Sequence, residues 1–152
     1  MQTVIGIENF PSGDKPVYLA LGNFDGVHKG HQSLIKALVA EAAAAQGQAV
    51  AFIFEPHPAQ VLFPARAPLL LNTPRRKAQL LDRMGLDTLI YHPFTREIAS
   101  WSPQEFVTRI LINALHCREV FVGFNYTFGH RGAGTPELLQ QLGAQLRFGG
   151  NI

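Results

Sequence analysis

Two kinds of apolar patterning alternate along the chain. Short runs in which nearly every residue is apolar, bounded by Gly, Asn, Asp or Pro, read as strands covered on both faces. They are "VYLALGNF" (17–24), "AVAFIF" (49–54), "DTLIYH" (87–92) and "EVFVGF" (119–124). Between them lie longer stretches with apolar residues three and four apart, the spacing of an amphipathic helix. Residues 31–47 put Leu34, Ile35, Leu38, Val39 and Ala42 on one face, with Gly47 as the expected stop. "TPRRKAQLLDRMG" (73–85) predicts a helix with Thr73 as N-cap, Pro74 at its first position and Gly85 after its end. "SPQEFVTRILINAL" (102–115) repeats the Ser-cap and Pro-start pattern, with Glu105 at the capping-box position. A last helix is predicted over 135–142, and "AQLRF" (144–148) is read as a fifth strand. Pro56, Pro58, Pro64, Pro68 and Pro74 argue against helix and central strand between 56 and 74. A long loop is expected there, with "LLL" (69–71) at most briefly extended.

Strands alternating with helices predict an α/β fold, a Rossmann-like doubly wound parallel sheet in a single domain. In such sheets ligands bind beyond the C-terminal ends of the strands, where strand order reverses. The segments after strands one and four, 22–30 and 123–134, are the two richest in Gly and His. They face one crevice if those two strands are neighbours, which alternation alone does not decide.

Composition narrows the partners. Apolar residues make up 47% and charged residues 16%, which excludes a disordered chain. The net charge of +2, from 13 basic and 11 acidic residues, gives no basic face for nucleic acid. No apolar run reaches the length of a membrane span, and the first residues lack a basic start followed by an apolar run. The only cysteine, Cys117, rules out a disulfide framework and fits a cytoplasmic setting.

The chemistry concentrates in "GNFDGVHKGHQSL" (22–34), at the joint of the first strand and first helix. Gly22, Gly26 and Gly30 allow a sharp turn and close approach of backbone to ligand. A helix starting near His31 offers free N–H groups and a positive dipole end to a phosphate. His28 and His31 add side-chain donors. Neither the P-loop pattern nor the dinucleotide Gly-x-Gly-x-x-Gly pattern is present. Two other readings of the pair are surface histidines in a turn, or a zinc site completed by His57 and Asp25.

His28-x-Gly30-His31, directly after a strand ending in Gly-x-Phe-Asp, resembles the HxGH signature of the nucleotidyltransferase superfamily. Three further stretches resemble the FMN adenylyltransferase module of the prokaryotic bifunctional riboflavin kinase/FAD synthetase family. "FIFEPHPAQVLFP" (52–64) is similar to its F-x-P-H-P segment, and "VGFNYTFGHRGAGTPELL" (122–139) to its V-G-x-[DN]-[FY]-x-[FY]-G segment. "TPRRKAQLLDRMGLDTL" looks like its third helix and strand. The resemblance implies transfer of AMP from ATP to FMN with Mg²⁺, giving FAD and pyrophosphate. It implies that His28 and His31 bind the ATP phosphates and stabilise the transition state. It further implies that Gly22, Asn23, Phe24, Asp25 and Gly30 form the loop around the nucleotide. His57, Phe63 and Arg66 of the proline-rich segment, with Asn125 and Phe128, are carried over as nucleotide- or flavin-site residues.

The end of the chain departs from that pattern. "LRFGGNI" is not followed by the family's I-S-S-[ST]-x-[IV]-R segment or by a β-barrel kinase domain. The expectation is an adenylyltransferase domain incomplete at its C-terminus, without kinase activity and with apolar sheet surface that favours self-association. Two alternatives remain at this level: a non-catalytic flavin- or nucleotide-binding remnant, and nucleotidyl transfer to another phosphate acceptor.

Overall fold

The computed structural model describes the chain except Ser12, His28, Pro68, Leu70, Leu71, Arg147, Phe148 and Ile152, and except the side chains of Leu146 and Asn151. Among the described residues six strands form one sheet in which every pairing is parallel: β1 (Gln2–Ile5), β2 (Val17–Leu21), β3 (Gln48–Phe54), β4 (Thr88–His92), β5 (Cys117–Val122) and β6 (Gly149–Asn151). Their order across the sheet is β1-β4-β3-β2-β5-β6. The chain therefore winds outward from β2 through β3 to β4, then crosses back to lay β5 against the free side of β2. The reversal point lies between β2 and β5, with Leu19 opposite Val120 and Leu21 opposite Val122. The predicted strands one and four are thus neighbours, and their following loops open on the same crevice.

The strands alternate at period two between the sheet's faces. Leu19, Leu21, Val50, Phe52, Val120 and Val122 point to one side, where the third predicted helix packs through Phe106, Val107, Ile110 and Leu111. This helix follows the short α4 (Arg96–Ala99), starts as α5 (Pro103–Phe106), its Ser102 hydroxyl accepting from Glu105 N at 3.1 Å, and continues with wider π-type winding through Val107–Ala114. Helix α6 (Pro136–Leu146) covers the same face with Leu139 and Leu142. Tyr18, Ala20, Ala49, Ala51, Ile53 and Leu89 point the other way, under Ile35, Leu38 and Ala42 of α1 (Lys29–Ala44) and Leu81 of α3 (Pro74–Arg83). Burial on both faces explains why these strands read as continuous apolar runs.

The departures from expectation are local. β1 carries only one buried side chain, Val4, so its sequence shows no strand period, yet it pairs along β4. The first helix ends at Ala44, and Gln46, not Gly47, takes the left-handed conformation at φ 55°. Gly47 is needed for space, since a Cβ there would lie 2.6 Å from Pro16 O. The proline-rich stretch is not bare loop: α2 (Pro58–Leu62) and a 3₁₀ turn (Pro64–Arg66) start at prolines, which suit a helix's first position. The fifth predicted strand is overturned over 144–146, where α6 simply continues through Gly143, and the sixth strand is Gly149–Asn151. The rest of that predicted strand, 147–148, falls outside the described residues, as do 70–71 of "LLL".

Candidate active site

The loop leaving β2 is held in an unusual backbone path. Phe24, Gly26 and Val27 all have positive φ, at 52°, 75° and 43°. A β-branched residue there is an outlier that persists only when its surroundings enforce it. They do: Phe24 and Val27 are buried, Gln32 Nε2 donates to Val27 O at 3.1 Å, and Asn72 N donates to Asp25 Oδ1 at 3.2 Å. Gly22 leaves room for the Phe24 ring, whose nearest carbon would stand 3.0 Å from a Cβ at position 22. The ring also meets the His31 imidazole edge-on at 5.1 Å, fixing it in the first turn of α1.

A cleft of about 1070 Å³ opens over this loop, at the C-terminal ends of β2 and β5. Gly22, Asn23, Phe24, Asp25, Gly30, His31, His57 and Asn125 all line it, so eight of the residues singled out in the sequence converge here. His57 has two duties. Its Nδ1 accepts from Ala59 N at 3.0 Å, capping α2, while its ring forms part of the cleft wall. Burial lowers its pKa and the nearby Lys77 charge lowers it further, against weaker pulls from Asp25 and Glu55. A neutral ring is what an accepting Nδ1 requires.

A second cleft of about 700 Å³ adjoins the first, and Asn23, Tyr126 and Thr127 line both. Its walls are aromatic: Phe54, Phe63, Phe94, Phe106 and Phe128, with Arg96 and Arg131 at its margin. The rings brace one another, Phe54 against Phe94 at 5.0 Å, Phe106 against Phe128 at 5.5 Å, and Tyr126 stacked on Phe128 at 6.2 Å. Phe128 is locked by reciprocal backbone hydrogen bonds with Gly134, where a Cβ would strike its ring at 2.7 Å. Phe128 is buried and at the same time forms part of the cleft wall.

Not every expected residue reaches the site. Arg66 is exposed in its 3₁₀ turn and lines neither cleft. His28 lies outside the described residues. Among the described residues no group of three or more His, Cys, Asp or Glu is placed to hold a metal, and His28, a member of the zinc alternative, is not one of them. Sequence reading missed Phe54, Phe94, Phe106, Arg96 and Lys77. Nothing in the sequence separates the three Phe residues from ordinary core positions, or Lys77 from the Arg75 and Arg76 beside it.

A family model described as FAD synthetase matches residues 11–152. The chain belongs to the FAD synthetase family. Among curated relatives it is similar to the bifunctional riboflavin kinase/FMN adenylyltransferase of Escherichia coli (strain K12), at 31% identity over 149 residues, covering 97% of this chain and 48% of that protein. The protein of the same description from Listeria monocytogenes is 39% identical over 117 residues, covering 76% of this chain and 37% of its own length. That from Buchnera aphidicola of Acyrthosiphon pisum is 29% identical over 148 residues, covering 97% of this chain and 47% of the relative. The chain thus spans about half or less of the length of these curated relatives. A solved structure titled as a macrolide-efflux protein from Streptococcus pneumoniae shares the fold, with a TM-score of 0.77, 28% identity, and coverage of 93% of this chain and 47% of that one. Among the described residues no helix is long and apolar enough to cross a membrane.

Proposed function

We propose that this chain transfers AMP from ATP to FMN, releasing pyrophosphate and forming FAD. An oxygen of the FMN phosphate attacks the α-phosphorus of ATP, a new P–O bond forms, and the bond to the bridging oxygen of the β-phosphate breaks. The electron pair leaves on pyrophosphate, and no protein nucleophile is consumed. One observation carries the reading: a glycine-rich loop at a helix N-terminus and an aromatic cleft adjoin, and Asn23 lines both. The loop and the start of α1 suit a triphosphate. The Phe54–Phe106–Phe128 cleft suits a flat ring system, and the junction puts the flavin phosphate beside the α-phosphate.

In this reading His31 receives charge that builds on the phosphoryl oxygens, and His28 does the same from its place in the sequence motif. Catalysis is then positioning plus electrostatic stabilisation. His57, held neutral by burial, orients without adding charge. Mg²⁺ is read as arriving on the triphosphate, with oxygen and water as its ligands. Both substrates are small molecules, and the reading places the chain in the cytoplasm.

The test is product formation. Incubated with ATP, FMN and Mg²⁺, the chain is expected to release FAD and pyrophosphate in equal amounts. Retained flavin binding with no FAD would overturn the enzymatic reading and leave a binding module. Transfer to nicotinamide mononucleotide or phosphopantetheine in place of FMN would overturn the acceptor.

A further inference from the structure

Phe124 is a large apolar ring left in solvent. It is 83% exposed, although Val120, Phe121 and Val122 just before it are buried in the sheet. The chain is anchored on both sides of it. Val122 pairs opposite Leu21 at the end of β5, and the ring of Tyr126 is stacked on Phe128. Between them Tyr126 N donates to Gly123 O at 3.1 Å, closing a four-residue turn with Phe124 and Asn125 at its centre. A single apolar residue scattered on a surface needs no explanation. This one is held out by a closed turn at the rim of a cleft.

Phe124 lines the first cleft and not the aromatic one. Because Leu21 and Val122 are partners, Gly22 and Gly123 leave adjacent strands side by side, about 5 Å apart. Phe124 therefore belongs to the same cleft as the Gly22–His31 loop and enters it from the β5 side. Another wall is α1. His31, Leu34, Ala37 and Glu41 line the cleft at helical spacing, so it runs about 15 Å along that helix from its N-terminal turn. Away from the loop the lining becomes largely apolar, through Leu34, Ala37 and Val122. A free aromatic face beside apolar walls suits the flat face of a nucleobase, which gains by stacking and not by charge.

We propose that Phe124 is a base-binding residue: its exposed ring stacks on the purine of the nucleotide whose phosphates lie along the Gly22–His31 loop. This rests on the reading of the first cleft as the triphosphate site. It separates the two ends of the nucleotide. Phe124→Ala is expected to bind ATP about tenfold more weakly, the usual scale for one base stacked on one aromatic ring. Inorganic tripolyphosphate, which has no base, is expected to bind within twofold of the wild type. Riboflavin is expected to do the same, because its ring belongs to the other cleft. Phe124→Trp keeps an aromatic face and is expected to hold ATP at least as tightly as the wild type. Both variants should melt within 2 °C of the wild type, since an exposed side chain contributes little to the core.

Calorimetric titration of the three proteins with ATP, tripolyphosphate and riboflavin, with melting curves, decides it. Unchanged ATP affinity in Phe124→Ala overturns the proposal. So does an equal loss of ATP and tripolyphosphate, which would place the effect on the phosphate loop, and so does a loss of riboflavin, which would give the ring to the flavin. Wild-type protein that binds ATP but forms no FAD overturns the proposed reaction alone. Wild-type protein that binds neither ATP nor tripolyphosphate overturns both.

Discussion

Replacing His31 with alanine is expected to slow FAD formation about 10²- to 10³-fold, the usual cost of removing one preorganised donor from a developing oxyanion. FMN affinity is expected to stay within about twofold, because His31 lines the first cleft and not the aromatic one. The fold should tolerate the change. The ring is half-buried, and the edge contact with Phe24 that is lost is worth only about 1 kcal/mol. Steady-state rates measured by separating FMN from FAD, together with quenching of flavin fluorescence, test both halves. Loss of flavin binding with ATP binding intact would reverse the assignment of the two clefts. His28→Ala is expected to behave in the same way, on the strength of the motif.

The second large effect is expected at Gly129. Its backbone, at φ 77° and ψ 179°, lies in a region essentially closed to other residues, at a cost of about 1–3 kcal/mol for any side chain. A Cβ there would also stand 2.8 Å from Pro103 N and 2.9 Å from Pro103 Cα, backbone that cannot rotate away. The same turn is pinned by His130 N donating to Trp101 O at 2.7 Å, so relief must come from moving the loop that carries Phe128. Gly129→Ala is expected to destabilise the protein by about 3 kcal/mol, lowering Tm by roughly 6–12 °C. At temperatures where it remains folded, flavin affinity should fall while ATP affinity holds. A Tm within 2 °C of wild type would show that the turn is not constrained as described.

Much of this architecture was legible in the sequence, for definable reasons. The central strands are covered on both faces, so their apolar runs are uninterrupted, and Ser102, Thr73 and their prolines announce helix starts through local chemistry. Edge elements carry less signal. β1 needs only Val4 to be apolar, and β6 is "GGN", which no propensity marks as strand. Gly143 follows the predicted end of the last helix, but a glycine in a packed helix stays helical when its neighbours Leu139 and Leu142 are anchored in the core.

The site divides the same way. The loop residues converged because a contiguous motif places them on one turn. The aromatic cleft draws on four separate segments, through Phe54, Phe94, Phe106 and Phe128, and only the sheet order brings these together. The burial of Lys77 was invisible, because nothing in "PRRKAQ" distinguishes it from the exposed Arg75 and Arg76.

The central claim is that two adjoining clefts hold a nucleotide and a flavin side by side. A crystal structure of the chain with FMN and the unreactive analogue α,β-methylene ATP tests this most directly. The account predicts the triphosphate along 22–31 at the start of α1 and the isoalloxazine ring among Phe54, Phe106 and Phe128, with the FMN phosphate meeting the α-phosphate beside Asn23. A flavin ring lodged in the cleft along α1, or phosphates bound away from the Gly22–His31 loop, would contradict it.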